Sequence, residues 1–522
     1  MRSAGRLLWI AYGMVALAGC QRSGTDPVPA SSPAPADIAW FGGSLEEALS
    51  AAAKQHKPVF LYWGAEWCPP CHDLKAHVFS RRDFQDKMRQ FIPVYLDGDA
   101  PGAQRTADQF HVSGYPTAVL LRADRTEITR IAGGMDLARY ADVLDLALEN
   151  VRPVAQLLAS LRQPDSTLSA LDCRRLAYNG WLLEPGIDTA PQPLITALFL
   201  AAQRCPAAPE RDRLLVTAVG LASSDAAKKD GKPAGPQLAE LLDSFAALLS
   251  DPARALRVAD VLLDVGEDVF IASHRLNPAR DSQLLAQWSA LMDALEADPD
   301  YSGSVRLMSA AGRLYAAKAL SQNGKIPASV QQRARQTLDA FLAQEYAPDE
   351  RAGIVNSASW VLTCLQDDAR LRTLLEGEIR TSRTPFYYMP DLADVYERAG
   401  DKSAALTWLE KGYRESRGPA TRFQWGVLYL QGLLRMTPDD APRIQAASLQ
   451  VLGELQGPDR IQGRARKRLD RIAQDLAAWS KQGSHAAAAA AIRQHWQGIC
   501  ESLPAMDAAR SDCPGLLPLA GA

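Results

Sequence analysis

The 522-residue sequence lacks a basic block: 57 Lys and Arg stand against 60 Asp and Glu, for a net charge of −3. Proteins that follow a phosphate backbone cluster their cations on one face, so nothing here favours a nucleic-acid partner. The sequence also lacks an apolar run of the roughly 20 residues that a membrane-spanning helix needs. Its one sustained run near the start, Leu7 to Leu17, falls short of that length. There is no P-loop, Gly-rich dinucleotide fingerprint or Ser/His/Asp arrangement, which removes the common signatures of nucleotide binding and serine hydrolysis. From about Val151 to the end, strand signals nearly vanish. What is present is an ordinary globular balance, 47% hydrophobic and 22% charged, with length for two to four domains.

Met1, Arg2 and Arg6 precede the first apolar run, as the basic and hydrophobic parts of a secretory signal do. The run ends in Leu17-Ala18-Gly19-Cys20, which resembles the lipobox of bacterial lipoproteins. The resemblance implies removal of residues 1–19 and lipidation of Cys20. Acyl chains contribute about 0.8 kcal/mol per buried CH₂, so such an anchor holds firmly to a membrane. Gln21, in place of Asp, favours the outer membrane under the best-known sorting rule. The expectation is a lipoprotein of the bacterial cell envelope, facing the periplasm. Residues 20–37 are rich in Pro and Ser and nearly free of large apolar side chains, so they read as an extended tether.

Export implies an oxidising compartment, where structural disulfides persist. Cys500 and Cys513 flank a short polar loop and form one expected pair; Cys173 and Cys205 form a second. Cys364, in the run Trp360 to Leu365, reads as a buried apolar thiol. Cys68 and Cys71 lie in Trp67-Cys68-Pro69-Pro70-Cys71-His72. Cys-x-x-Cys is the motif of a dithiol/disulfide centre. Followed by His it is also an attachment motif for c-type haem, with His72 as the axial ligand. Half of a zinc site is a third reading. Six residues do not choose between these, and the surroundings must.

Ser44-Leu45-Glu46-Glu47 is a capping-box pattern, and the helix it opens ends at Lys57-Pro58. Val59 to Trp63 reads as a buried strand running into a turn at Gly64 to Trp67. Pro70 suits a first helical turn, and a helix follows from Cys71 to Phe79. Helices at 82–90 and 103–110, strands at 91–96, 118–121 and 127–131, and a closing helix at 136–150 complete the order α, β, α, α, β, α, β, β, α. Pro93 marks a break or edge in the second strand.

Residues 38–150 resemble the thioredoxin superfamily. The resemblance rests on the strand entering the turn, Trp67 before Cys68, the Cys pair opening a helix, and Val112-Ser113-Gly114-Tyr115-Pro116-Thr117 ahead of a hairpin. It implies an α/β thioredoxin-like fold, with Pro116 in the cis form beside the Cys pair and the backbone of Tyr115 pairing with an extended substrate. A sulfur at a helix N-terminus faces unpaired N–H groups and the positive dipole end, which favours its thiolate. Cys68 is therefore the expected nucleophile and the more exposed sulfur, with Cys71 one turn on as the resolving one. Pro69 and Pro70 stiffen the loop and remove two donors. Trp67 reads either as packing or as a substrate contact, and His72 as a basic neighbour able to tune the thiolate.

The sequence also departs from that family. Tyr62 stands where many thioredoxins carry a buried Asp, and the usual Lys partner falls near Pro93. Glu66 reads as a solvated charge. The α/β order does not suit a cytochrome, and zinc lacks a second Cys pair, with only His77 nearby.

Residues 151–522 read as a large all-α region of helical repeats. Its clearest unit, Met389 to Pro419, places Leu392, Ala393, Tyr396, Gly400, Ala405, Leu409 and Gly412 near the spacing of a tetratricopeptide repeat. The expected function is an extracytoplasmic thiol–disulfide oxidoreductase acting on protein thiols or disulfides, without a cofactor. A reducing role would draw on a membrane electron relay. The alternatives are a membrane-anchored interaction scaffold and a c-type haem protein.

Overall fold

The computed structural model describes residues 38–519 apart from 113, 134–136, 150–151, 164, 183–189, 207, 228–234, 322–323 and 483–484. Cys20, the signal-like segment and the tether to residue 37 lie outside the described residues.

Helix α1 (Leu45–Gln55) begins where the sequence places it. The Ser44 side chain accepts from the Glu47 N–H, and the Glu47 carboxylate accepts from the Ser44 N–H at 2.7 Å, so two orphan donors are satisfied together. Strand β1 (Val59–Gly64) is buried along its whole length. Its alternation sorts side chains to two faces. Phe60 and Tyr62 join Phe79, Phe84 and Tyr140 in one core. Val59, Leu61 and Trp63 meet Leu45 and Leu49 of α1 in another.

Helix α2 (Pro69–Leu74) runs into a π-helical turn at Lys75–Phe79, followed by α3 (Arg82–Met88). Strand β2 (Ile92–Asp97), α4 (Ala103–Gln109), β3 (Thr117–Leu121), β4 (Glu127–Ala132) and α5 (Leu137–Leu148) complete the order read from the sequence. The sheet order is β2-β1-β3-β4, with β1 parallel to β2 and antiparallel to β3. Strand β2 is thus an edge strand, the position in which Pro93 can lack a ladder N–H.

Among the described residues every regular element from Val154 onward is helical. The core around Phe60 and Tyr62 continues through Val154, Leu157, Leu176 and Trp181 as far as Trp288 and Leu320. Helices Met389–Arg398 and Lys402–Glu415 pack together as a pair, burying Leu392, Ala393, Ala405, Leu409 and Gly412. Both expected disulfides are present, Cys173–Cys205 and Cys500–Cys513, with Cα separations of 5.7 and 5.6 Å. Cys364 is a free thiol but only partly buried, and that burial pushes it up to about 11. No helix of the described residues is long and apolar enough to cross a membrane.

Candidate active site

The end of β1 delivers the chain into a tight turn in which the Cys68 N–H donates to the Ala65 carbonyl at 3.2 Å. Cys68 is the N-cap of α2, with extended backbone angles. Pro69 and Pro70 fill the first two helical positions, where a backbone donor would have no partner inside the helix. The helix therefore starts at Pro69, two residues before the Cys71 start read from the sequence. The first N–H groups available are those of Cys71 and His72, and both donate to the Cys68 carbonyl. The Cys71 N–H also points at Cys68 Sγ, 3.2 Å away.

Cys68 and Cys71 form a disulfide with a Cα separation of 5.2 Å. Ala65, Trp67 and Tyr115 pack around the two sulfurs. The Tyr115–Pro116 peptide is cis, as the resemblance implied, and β3 begins at the next residue. Tyr62 lies in the core, where burial pushes its phenol above the ordinary range, so it offers no acid or base to the pair at neutral pH. Glu66 is exposed, as read.

One expectation is corrected. Cys68 is not the more exposed sulfur: its residue is 2% exposed and Cys71 8%. Trp67 and Tyr115 pack on the pair, and the helical region holds both of them in place. The Trp67 indole N–H donates to Thr421 Oγ1 at 2.8 Å, and the ring meets Trp425 edge-on, with centroids 4.9 Å apart, and stacks on Tyr387. The Thr421 hydroxyl and amide both donate to Asp99, at 2.5 and 2.9 Å. The Arg464 guanidinium lies over the Tyr115 ring, 4.1 Å from its centroid.

A further group of contacts comes from the helices Gly303–Ala319 and Pro348–Leu365. His72 Nδ1 meets Asp349 Oδ1 at 2.7 Å, and its Nε2 meets the Glu66 carbonyl at 2.6 Å. Lys75 pairs with the same Asp349 at 3.1 Å. Burial pushes the Asp349 carboxyl up, but the bonds from His72 and Lys75 outweigh it and leave the group below its ordinary value. The hydroxyls of Ser302 and Ser304 donate to Asp73.

These surroundings do not fit a c-type haem. Both His72 nitrogens are engaged with acceptors, and the sulfurs face each other under Trp67 and Tyr115. Sequence reasoning missed Asp99, Asp349, Tyr387, Thr421, Trp425 and Arg464. Thr421 lies 354 residues from Trp67, and no local pattern links them.

A family model described as a thioredoxin-like domain matches residues 45–148. A protein of Yersinia pestis named thiol:disulfide interchange protein DsbD is 31% identical over 93 residues, 17% of this chain and 16% of that one. A Pseudomonas aeruginosa protein named thiol:disulfide interchange protein DsbD 1 is 25% identical over 156 residues, 26% of each chain. The match thus spans about a sixth to a quarter of the length of these relatives. A solution structure of a thioredoxin from Thermus thermophilus is 26% identical, covering 22% of this chain and 88% of that one with a TM-score of 0.20. Residues 45–148 of this chain are a thioredoxin-like domain carrying a Cys-x-x-Cys pair, and a large all-helical region follows it.

Proposed function

We propose that this chain is an extracytoplasmic thiol–disulfide oxidoreductase acting on protein thiols and disulfides, with Cys68 as the attacking sulfur and Cys71 as the resolving one. The observation that carries the reading is the Cys71 N–H, 3.2 Å from Cys68 Sγ at the start of α2. In the reduced pair that donor and the positive end of the helix favour the Cys68 thiolate. The thiolate attacks a substrate disulfide, a Cys68–substrate bond forms, and the substrate's other sulfur leaves as a thiolate. Cys71, having given its proton to solvent, attacks Cys68 Sγ and releases the second substrate sulfur. Two electrons have then passed from the pair to the substrate; the reverse sequence oxidises a dithiol.

Trp67, Tyr115 and Pro116 form the substrate-facing surface in this reading, and Pro69, Pro70 and His72 set the properties of the pair. The structural disulfides Cys173–Cys205 and Cys500–Cys513 support an oxidising compartment. The signal-like residues 1–19, lipidation at Cys20 and the tether to residue 37 fit a periplasm-facing lipoprotein, in the outer membrane by the Gln21 rule. In this account residues 38–150 carry the redox pair and residues 151–522 are helical repeats. A membrane electron relay supplies electrons where the role is reductive.

The test is a Cys71→Ser chain incubated with periplasmic protein. It accumulates mixed disulfides through Cys68 that a thiol releases, and Cys68→Ser accumulates none. If Cys71→Ser traps neither protein nor small-molecule disulfides, the reading fails. The burial of Cys68 favours one rival reading, a membrane-anchored interaction scaffold in which the thioredoxin-like domain is a platform. That rival predicts that Cys68→Ser leaves the cellular phenotype intact.

A further inference from the structure

Cys68, at 2% exposed, is out of reach of a protein thiol, which must approach along the S–S bond to displace Cys71. What covers the site is the chain itself. On one side, the helix Pro419–Met436 brings its first turn to the loop after β2. There Asp99 accepts two hydrogen bonds from Thr421, and the same Thr421 hydroxyl accepts from the indole N–H of Trp67, the residue before Cys68. The approach at Gly418 is close: with φ at +83°, a Cβ there would come within 2.3 Å of Asp99 Cγ. On the other side, the helix Gly463–Ser480 sets Arg464 over Tyr115. A Cβ at Gly463 would lie 2.8 Å from the Gln104 carbonyl oxygen.

This cover is built differently from the packing of the sheet on the helices from Val154 to Trp181. There one apolar core runs without interruption from the sheet into the helices. Beside the redox pair the contact consists of short polar bonds and one aromatic side chain of the sheet domain, Trp67, laid on Tyr387 and Trp425 at the helical core. Hydrogen bonds exchange with water at little net cost, whereas a continuous core does not.

We infer that this part of the helical region is a gate over the Cys68–Cys71 pair, latched by the chain Asp99–Thr421–Trp67, and that exchange takes place only from an opened state. The inference rests on the redox reading above. The structure holds the closed state, and opening uncovers Cys68 together with the aromatic surface of Trp67, Tyr387 and Trp425.

The experiment is stopped-time reduction of the full-length oxidised chain by dithiothreitol, with alkylation and mass spectrometry following each disulfide. The dithiol attacks Cys68 or Cys71, closes to its own cyclic disulfide, and leaves both cysteines as thiols. A gate makes the wild-type rate level off at high dithiol concentration, at the rate of opening. Thr421→Val removes the hydroxyl that links Asp99 to Trp67 and raises that plateau about ten-fold. Trp67→Phe keeps an aromatic side chain, loses the indole donor, and acts in the same direction. Cys173–Cys205 and Cys500–Cys513 keep their wild-type rates, which separates latch loss from global unfolding. A linear wild-type rate at the speed of an exposed Cys-x-x-Cys, or rates within about two-fold of wild type in both variants, overturns the gate. Neither result touches the redox reading, which stands or falls on the Cys71→Ser trap.

Discussion

The thioredoxin-like domain meets the helical region along two seams, and they are made of different materials. At the first, the sheet core of Phe60, Tyr62 and Tyr140 continues into Leu157, Leu176 and Trp181, and the buried Arg175 donates to the Glu127 carbonyl across it. At the second, beside Cys68, the joints are Thr421 on Asp99, Thr421 on Trp67 and Asp349 on His72, with the one aromatic contact of Trp67 on Trp425 and Tyr387. Apolar area removed from water stabilises by about 25 cal/mol per Å² and is lost wholesale when a core parts. A hydrogen bond contributes about 1 kcal/mol net, because water replaces it. The first seam therefore fixes the two regions to each other, and the second can open while the chain stays folded.

The largest effect belongs to the first seam. Leu176→Ala, at a fully buried position, costs about 2–5 kcal/mol. Calorimetry should show one lowered transition for the thioredoxin-like domain and the adjoining helices together. Two separate transitions would break the comparison, because the core would then not be shared.

The next effect is pH-dependent and belongs to the second seam. Burial raises the Asp99 carboxyl from 3.8 to about 6, the Thr421 bonds oppose that only in part, and Asp97 adds to the rise. Tyr115 and the guanidinium groups of Arg464 and Arg468 are further titratable groups at this corner. Because the closed state holds the proton more tightly, opening releases it. The raised group favours closure most fully below 3.8, and that contribution is lost as pH rises through about 6. The plateau rate of disulfide reduction, taken with a phosphine reductant that works in acid, should therefore climb between these values and flatten above them. Asp99→Asn should remove the climb; a fall with rising pH in the wild type would reverse the sign and refute the assignment.

The smallest effect is at Asp349. Its side chain is 31% exposed and its partners His72 and Lys75 are also open to solvent, so screening limits the pair to about 1 kcal/mol or less. Asp349→Asn should shift urea unfolding slightly. It should also let His72 turn, read as a changed chemical shift of its ring protons. An unchanged His72 signal would mean that Glu66 alone orients the ring.

The two seams also divide what could be read from the sequence. The capping box at Ser44, the buried run at Val59–Trp63, edge placement of Pro93 and the turn before Thr117 are local patterns, and each determines its own element. The pairs Cys173–Cys205 and Cys500–Cys513 lie close enough in sequence, 32 and 13 residues, for proximity to guide the reading. The cover over Cys68 has no such signature. Thr421 reads as an ordinary first-turn residue after Gly418-Pro419, and Asp99 as one acid in a polar turn. Their meaning exists only once hundreds of intervening residues have folded back. For the same reason Cys68 looked like the exposed sulfur: helix-terminus chemistry is local, and burial under a distant helix is not.

The central claim is that Cys68 and Cys71 are a working redox pair among the three disulfides of the described residues. Equilibrating the full-length chain with glutathione buffers and quantifying each disulfide tests it most directly. The account predicts that Cys68–Cys71 alone titrates, at one midpoint with a two-electron slope, where about 30 mV corresponds to 1.4 kcal/mol. Cys173–Cys205 and Cys500–Cys513 should remain oxidised throughout. If all three bonds stay oxidised across the range, or all three reduce only as the chain unfolds, the pair is a structural staple and the account is contradicted.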